Sequence, residues 1–257
     1  MHKGSLYMKL DRIIAVRNSK TVYCEGDHSF KVFNGQYKKS DVLSEALNQA
    51  RLEETGLNIP KILEVTVING KWAIVYEHIK GKTLSAIMNE QEKGGQSIDG
   101  YIEKFADLQL DVLKRKCPEL TPLSDKITRN ICETDFAATV RYDLLDRLSD
   151  MPKHAKICHG DFNPSNIIIT EKGDSYILDW SHAAKGNGAA DAAGTYLYFL
   201  YNGQQNTAES YMNIICQKSG VERSYVERWL PIIAASKSAK AGRDEKKFYC
   251  AMVEKYI

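Results

Sequence analysis

The sequence contains no CxxC pair, and its six cysteines fall at none of the spacings that zinc ligands adopt. They read as reduced core thiols of a cytoplasmic protein rather than as a disulfide framework or a metal knot. No run approaches the ~20 apolar residues needed to cross a bilayer, and the first ten residues carry Lys3 and Lys9 without an apolar stretch of signal-peptide length. The expectation is a cytoplasmic chain without a membrane partner. Neither sign of charge dominates: 35 Lys and Arg face 33 Asp and Glu, a net charge of +2, which gives nucleic acid no electrostatic support as a partner. Internal repeats and low-complexity linkers are also missing. What is present is ordinary: 257 residues, 43% hydrophobic and 26% charged, enough to bury a core in one large domain or in two lobes sharing a cleft.

The first eighty residues have the rhythm of a sheet with one helix. Short β-branched or aromatic runs at 13–16, 21–24 and 30–33 are separated by Asn18-Ser19-Lys20 and Glu25-Gly26-Asp27, which suits an antiparallel meander. A helical stripe of Val42, Leu43, Ala46, Leu47 and Ala50 follows, with Ser40 expected as its cap and Gly56 near its end. Runs at 62–68 and 71–76 then flank Asn69-Gly70, a strong hairpin signal. Beyond Gly81 the pattern turns helical, with expected helices over 98–116 and 124–148 and further helical segments from about residue 189, broken near Gly203, Gly220 and Gly242. One β-type interruption spans 157–180. The fold class expected is α+β: an N-terminal antiparallel β lobe over 1–77, a strap over 78–81 and a larger, mainly helical lobe over 82–257.

Chemistry concentrates in His159-Gly160-Asp161-Phe162-Asn163-Pro164-Ser165-Asn166, which leads into two β-prone runs joined by Lys172-Gly173 and ending in Leu178-Asp179-Trp180. A turn centred on Lys172-Gly173 pairs residues whose numbers add to 345 and sets Asn166 opposite Asp179. An amide oxygen and a carboxylate side by side form part of a magnesium shell, which waters and phosphates complete. Taken singly, Asn166 could cap a turn and Asp179 could be a solvated strand end. With Asp161 five residues before Asn166, the set points to a reaction centre. A thiol nucleophile at Cys158 is disfavoured beside His159, because adjacent strand residues point to opposite faces.

HGDFNPSN followed by an apolar hairpin and LDW resembles the catalytic loop and metal motif of the aminoglycoside phosphotransferase and choline kinase group. These are relatives of protein kinases that carry HGD in place of HRD. The order of elements agrees with that group from Asp11 to the C-terminus. The resemblance implies a two-lobed protein-kinase-like fold and a transfer from ATP (or GTP), with magnesium, to a hydroxyl of a small molecule. It implies that Asp161 takes the hydroxyl proton, that His159 braces the loop, and that Asn166 and Asp179 hold the metal. By the same resemblance, Lys31 in Phe30-Lys31-Val32-Phe33 reaches the phosphates with Glu45 as its partner. The carbonyl of Glu77 and the amide of Ile79 would bind adenine beside an exposed His78, and Asp191 would support the loop from below.

The chain departs from that pattern in two places. The turn at 17–20 has no glycine, so a glycine-rich phosphate clamp is missing. After Asp191-Ala192-Ala193, where related sequences tend to carry Arg-Thr, this chain has Gly194-Thr195. The acceptor is left open between an aminoglycoside-like antibiotic and a metabolite such as choline, a sugar or an amino alcohol. From residue 182 onward seven acidic residues meet ten basic ones, so the carboxylate enrichment that a polycation would favour is lacking, although Asp135, Asp143 and Asp146 could contribute. The alternative from another class is a nucleotide-binding pseudokinase acting through protein interaction, disfavoured because such a module has no need of Asp161.

Overall fold

The computed structural model describes residues 10, 12–17 and 20–257. In chain order the elements begin with strands β1 (Ile13–Arg17), β2 (Lys20–Glu25) and β3 (His28–Phe33), helix α1 (Lys39–Glu53), and strands β4 (Ile62–Ile68), β5 (Lys71–Glu77) and β6 (Lys82–Thr83). Helices α2 (Leu84–Lys93), α3 (Asp99–Lys114), α4 (Leu123–Cys132) and α5 (Ala138–Ser149) follow, then strands β7 (Lys156–Cys158), β8 (Ile167–Ile169), β9 (Ser175–Ile177) and β10 (Ala184–Gly186). The chain ends in α6 (Gly188–Tyr201), α7 (Gln205–Ser219), α8 (Arg223–Glu227), α9 (Leu230–Ser238) and α10 (Arg243–Tyr256). These elements group into two compact units: the described residues up to Ile87 with Ser165–His182, and Met88–Pro164 with Ala183–Ile257. A single cut in the strap would separate β6 from the 167–177 hairpin. Strand pairing joins them, because Lys82 and Thr83 lie against Ile169 and Ile168.

In the β-rich unit, five antiparallel strands lie in the order β1-β2-β3-β5-β4. Asn69 and Gly70 both have positive φ, 49° and 76°, which matches the twist that a two-residue hairpin needs. The Asn18-Ser19 turn lies outside the described residues. Successive residues of β3 face opposite sides of the sheet. Phe30 therefore joins Ile68, Ala73 and Val75, while Phe33 joins Val42, Ala46 and Ile74 on the face that α1 covers.

Helix α1 presents a different face from the one its hydrophobicity suggests. Val42, Glu45, Ala46, Gln49 and Leu52 are buried, whereas Leu43 and Leu47 are 44% and 50% exposed and Ala50 is exposed too. Two polar residues sit inside because both have partners: Glu45 pairs with Lys31, and the Gln49 amide donates to the carbonyl of Pro60 at 2.6 Å. Ser40 is not the cap. It lies inside the first turn, and the cap position is Lys38, which makes no side-chain capping bond.

The 167–177 hairpin is also shifted from expectation. Ile167, Ile168 and Ile169 oppose Ile177, Tyr176 and Ser175, so paired numbers add to 344 rather than 345. The turn has three residues, closed by Thr170 N–H to the Asp174 carbonyl and Gly173 N–H to the Thr170 carbonyl, both at 2.9 Å, with Gly173 at φ +88°. Asn166 consequently receives the Leu178 N–H on its carbonyl at 2.8 Å, and Asp179 stands one residue further along.

The helical unit is built around Phe105 of α3, whose ring lies 4.8 Å from Phe162, 5.7 Å from Phe199 and 5.7 Å from Tyr211. The segment over 124–148 is two helices rather than one. The Thr134 hydroxyl bends back to the Ile131 carbonyl at 2.7 Å, and Arg141 donates to the Thr134 carbonyl at 3.0 Å, which ends α4 and seats the start of α5. Helix α7 ends at Gly220 in the left-handed conformation. All six cysteines are free, and among the described residues no helix is long and apolar enough to cross a membrane.

Candidate active site

A cavity of about 510 Å³ opens in the β-rich unit, a size suited to a small ligand. Val22, Ile79, Ile168 and Leu178 give it apolar walls, and Lys20, Lys31, Glu77, His78, Asn166 and Asp179 supply polar lining. Lys31 is buried in β3 and ion-pairs with Glu45 of α1. Its ammonium also lies 2.9 Å from Asp179 Oδ1. A second lysine, Lys20 at the start of β2, grips both oxygens of the same carboxylate, at 3.2 and 3.0 Å, and the Ser181 hydroxyl donates to Oδ1 at 2.9 Å.

These charges set one another's protonation. Burial pushes the Asp179 carboxyl up, but Lys31 and Lys20 outweigh it and hold the group well below the usual carboxylate range. Burial also disfavours the Lys31 ammonium, and Asp179 with Glu45 more than compensates, raising its pKa. Lys20 goes the other way: burial and the neighbouring Lys31 charge lower it. Asp179 has φ +59°, unusual for a non-glycine residue and costing on the order of 1–3 kcal/mol, so the surrounding bonds must hold it there.

The strap after β5 is tied down by Glu77 N–H to the Lys61 carbonyl (3.0 Å) and His78 N–H to the Asp27 carbonyl (2.8 Å), and Glu77 and Ile79 both line the cavity. His78 is half-buried rather than exposed, with Nδ1 2.9 Å from the Ser29 hydroxyl. Among the described residues, no three His, Cys, Asp or Glu side chains cluster as a metal cage. Asn166 and Asp179 suit magnesium nonetheless, because that ion takes one or two protein oxygens and completes its shell with phosphate and water. Two ammonium groups already stand on Asp179, so this carboxylate is placed to receive positive charge.

The boundary between the units falls after Pro164, so His159 and Asp161 belong to the helical unit, and Asn166 and Asp179 to the β-rich one. His159 is fully buried and its Nδ1 accepts the Asp161 N–H at 3.2 Å. Asp191 of α6 accepts the Gly160 N–H at 2.7 Å and is itself held by the Gln109 amide at 3.0 Å. The Asn163 amide donates to the Asp161 carbonyl at 3.0 Å and to its carboxylate at 3.2 Å, and Thr195 donates to the Phe162 carbonyl at 2.9 Å. The loop is thus fixed on both sides, with the Asp161 side chain still 38% exposed. Cys158 is no nucleophile: burial and the nearby Asp191 push its thiol well above its ordinary value.

Sequence reasoning missed two lysines. Lys20 gave no signal, since a cation beside a turn is usually solvated. Lys237, whose ammonium lies 3.7 Å from Asp161 Oδ1, did give one: it is a lone charge in the apolar run Ile232-Ile233-Ala234-Ala235-Ser236-Lys237, as Lys31 is in its strand.

Solved structures similar to this fold include choline kinase LicA from Streptococcus pneumoniae (16% identity, TM-score 0.66) and aminoglycoside phosphotransferase APH(4)-Ia (11% identity, TM-score 0.69). Each match covers 95% of this chain and 93% of the other. A thermostable mutant of the latter, in ternary complex with AMP-PNP and hygromycin B, matches at 12% identity with a TM-score of 0.67, again over 95% and 93% of the two chains. A sequence comparison with curated proteins finds no match. Residues 13–214 match the model of the phosphotransferase enzyme family, and the chain belongs to that family of small-molecule kinases.

Proposed function

We propose that the protein moves the γ-phosphate of ATP (or GTP) to a hydroxyl of a small molecule in a magnesium-dependent reaction in the cytoplasm. Residues up to 77 would carry the nucleotide, 78–81 would form the strap, and 82–257 would carry the acceptor side. The observation that supports this best is Lys31, buried in the cavity and held between Glu45 and Asp179. A fixed ammonium in a partly apolar cavity suits a phosphate oxygen. The base would rest on backbone groups of Glu77 and Ile79. Asn166 and Asp179 would hold magnesium, which when bound neutralises charge on the phosphates. Lys20 and Lys31 would then turn from Asp179 toward the phosphate oxygens, a task that falls to side chains because residues 17–20 include no glycine.

In the transfer, the acceptor oxygen gives its proton to the Asp161 carboxylate and bonds to the γ-phosphorus, while the bond to the β–γ bridging oxygen breaks and ADP leaves. His159, through the Asp161 N–H, braces the loop. The experiment is calorimetry of AMP-PNP with and without magnesium, followed by ADP release over a panel of hydroxyl compounds. Magnesium-dependent binding with acceptor-dependent ADP release is expected. Nucleotide binding indifferent to magnesium, with no acceptor raising ADP release, would overturn the proposal.

A further inference from the structure

We infer that Lys237 makes the acceptor side of Asp161 electropositive, so that the acceptor is a neutral or anionic hydroxyl compound and not a polycation. The inference rests on the kinase reading of Asp161. Helix α9 is buried along Leu230–Ser236 and again at Ser238, and Lys237 is its half-buried exception. Its ammonium is 3.7 Å from Asp161 Oδ1, beyond hydrogen-bond reach but within ion-pair reach, a spacing at which a third polar group can contact both. An acceptor hydroxyl next to Asp161 therefore also comes close to a fixed positive charge.

Gly194 explains how the lysine gets there. A Cβ on this glycine would meet Lys237 Cε at 3.5 Å and Ile233 Cγ2 at 3.8 Å, so the lysine stem passes over the bare backbone of α6. An alanine would fit, whereas a longer side chain at 194 would compete with Lys237 for the same space. Further cations lie on neighbouring elements, and one carboxylate, Glu245, accepts from the Tyr249 hydroxyl at 3.2 Å, where Tyr249 also feels the Asp161 charge. Lys240 follows one turn later, Lys126 and Arg129 lie on α4, and mutual repulsion among these three helps lower Lys126. Two of the three carboxylates considered for a cationic acceptor are already engaged, Asp135 with Lys246 at 2.6 Å and Asp143 with Arg147 at 2.9 Å. A cation arriving at Asp161 meets like charge in a partly enclosed place, where screening by water is weak.

The test uses the full chain with magnesium and AMP-PNP, and measures binding of hygromycin B, choline, sorbitol and gluconate by calorimetry. The wild type is expected to bind neither cationic alcohol at micromolar concentration. Lys237→Glu is expected to shift the ranking toward the two cations by at least ~10-fold relative to sorbitol and gluconate. Lys237→Arg should keep the wild-type ranking, and Lys237→Met should fall between them, which guards against a glutamate variant that folds poorly. Moving the cation, in Gly194→Arg combined with Lys237→Ala, should restore the ranking that Lys237→Ala alone loses. Micromolar binding of hygromycin B or choline by the wild type, or a ranking unchanged in every variant, overturns the inference. Failure of AMP-PNP itself to bind would instead remove the kinase reading.

Discussion

Two carboxylates mark this chain, and their surroundings are opposites. Asp179, in the β-rich unit, is gripped by Lys20, Lys31 and Ser181 at 2.9 to 3.2 Å and is held ionised. Asp161, in the helical unit, keeps a more open side chain, with the Asn163 amide at 3.2 Å and Lys237 at a loose 3.7 Å. A group that must hold a cation benefits from neighbours that keep it charged and fixed before the cation arrives. A group that exchanges a proton with an incoming hydroxyl, as proposed for Asp161, needs an open approach and a rigid backbone, which the bonds from Asp161 N–H to His159 and from Gly160 N–H to Asp191 supply. On the proposed reaction, the contrast is between a group that would hold and one that would react.

Alanine at each position should break the contrast in opposite ways, with the largest effects. Asp161→Ala is expected to lower turnover by roughly 10²–10⁴-fold, the usual contribution of a positioned general base, with AMP-PNP affinity little changed. Asp179→Ala is expected to abolish the magnesium dependence of nucleotide binding, since the Asn166 amide left behind is a neutral and weaker ligand. Steady-state rates and calorimetry on both variants check this. Equal loss of affinity in the two would show that they are not divided between holding and reacting.

A smaller effect sharpens the holding side. Lys31 and Glu45 form a buried ion pair, and removing either leaves the other charge in the interior without its main partner. Lys31→Met and Glu45→Gln should each destabilise by about 3–5 kcal/mol, with Asp179 softening the loss when Glu45 goes. The double variant should lose less than the sum, by on the order of 0.5–3 kcal/mol, as urea unfolding would measure. Strict additivity would mean that Asp179, not Glu45, is the partner that matters to Lys31.

Much of this was legible because it depends on local pattern. Period-two runs around Asn69-Gly70 and the fixed spacing from His159 to Asp179 brought the sheet, the loop and Lys31 within reach of the sequence. The failures came where partners decide. The buried face of α1 includes Glu45 and Gln49 because Lys31 and the Pro60 carbonyl satisfy them, so a stripe drawn through Leu43 and Leu47 pointed to solvent. The 167–177 register was off by one because Gly173 at φ +88° admits a third turn residue. Lys20 owes its place to a residue 159 positions away, a distance over which pattern carries no information, and the local signal at Lys237 does not name its partner 76 positions away.

The smallest effect concerns a lysine of the helical unit whose ammonium meets a backbone carbonyl. The Lys126 ammonium donates to the Ala183 carbonyl at 2.6 Å, and burial, with Arg129 and Lys240 nearby, lowers its pKa to about 8. Unfolded, it would return to the ordinary lysine value near 10.5. Below about pH 8 both states carry the proton, and the folded chain bears the full cost of a partly buried charge. Between about pH 8 and 10.5 the folded state releases its proton while the unfolded state keeps it, so this residue's contribution makes the protein more stable as pH rises. Lys126→Met removes that contribution together with one hydrogen bond, a loss of about 1 kcal/mol that partly offsets the gain. The stability of Lys126→Met relative to the wild type should therefore be most favourable at pH 7 and decline steadily through pH 8, 9 and 10 in urea titrations. A difference that stays constant across that range would mean that Lys126 is as well accommodated in the helical unit as Lys31 is in the β-rich one.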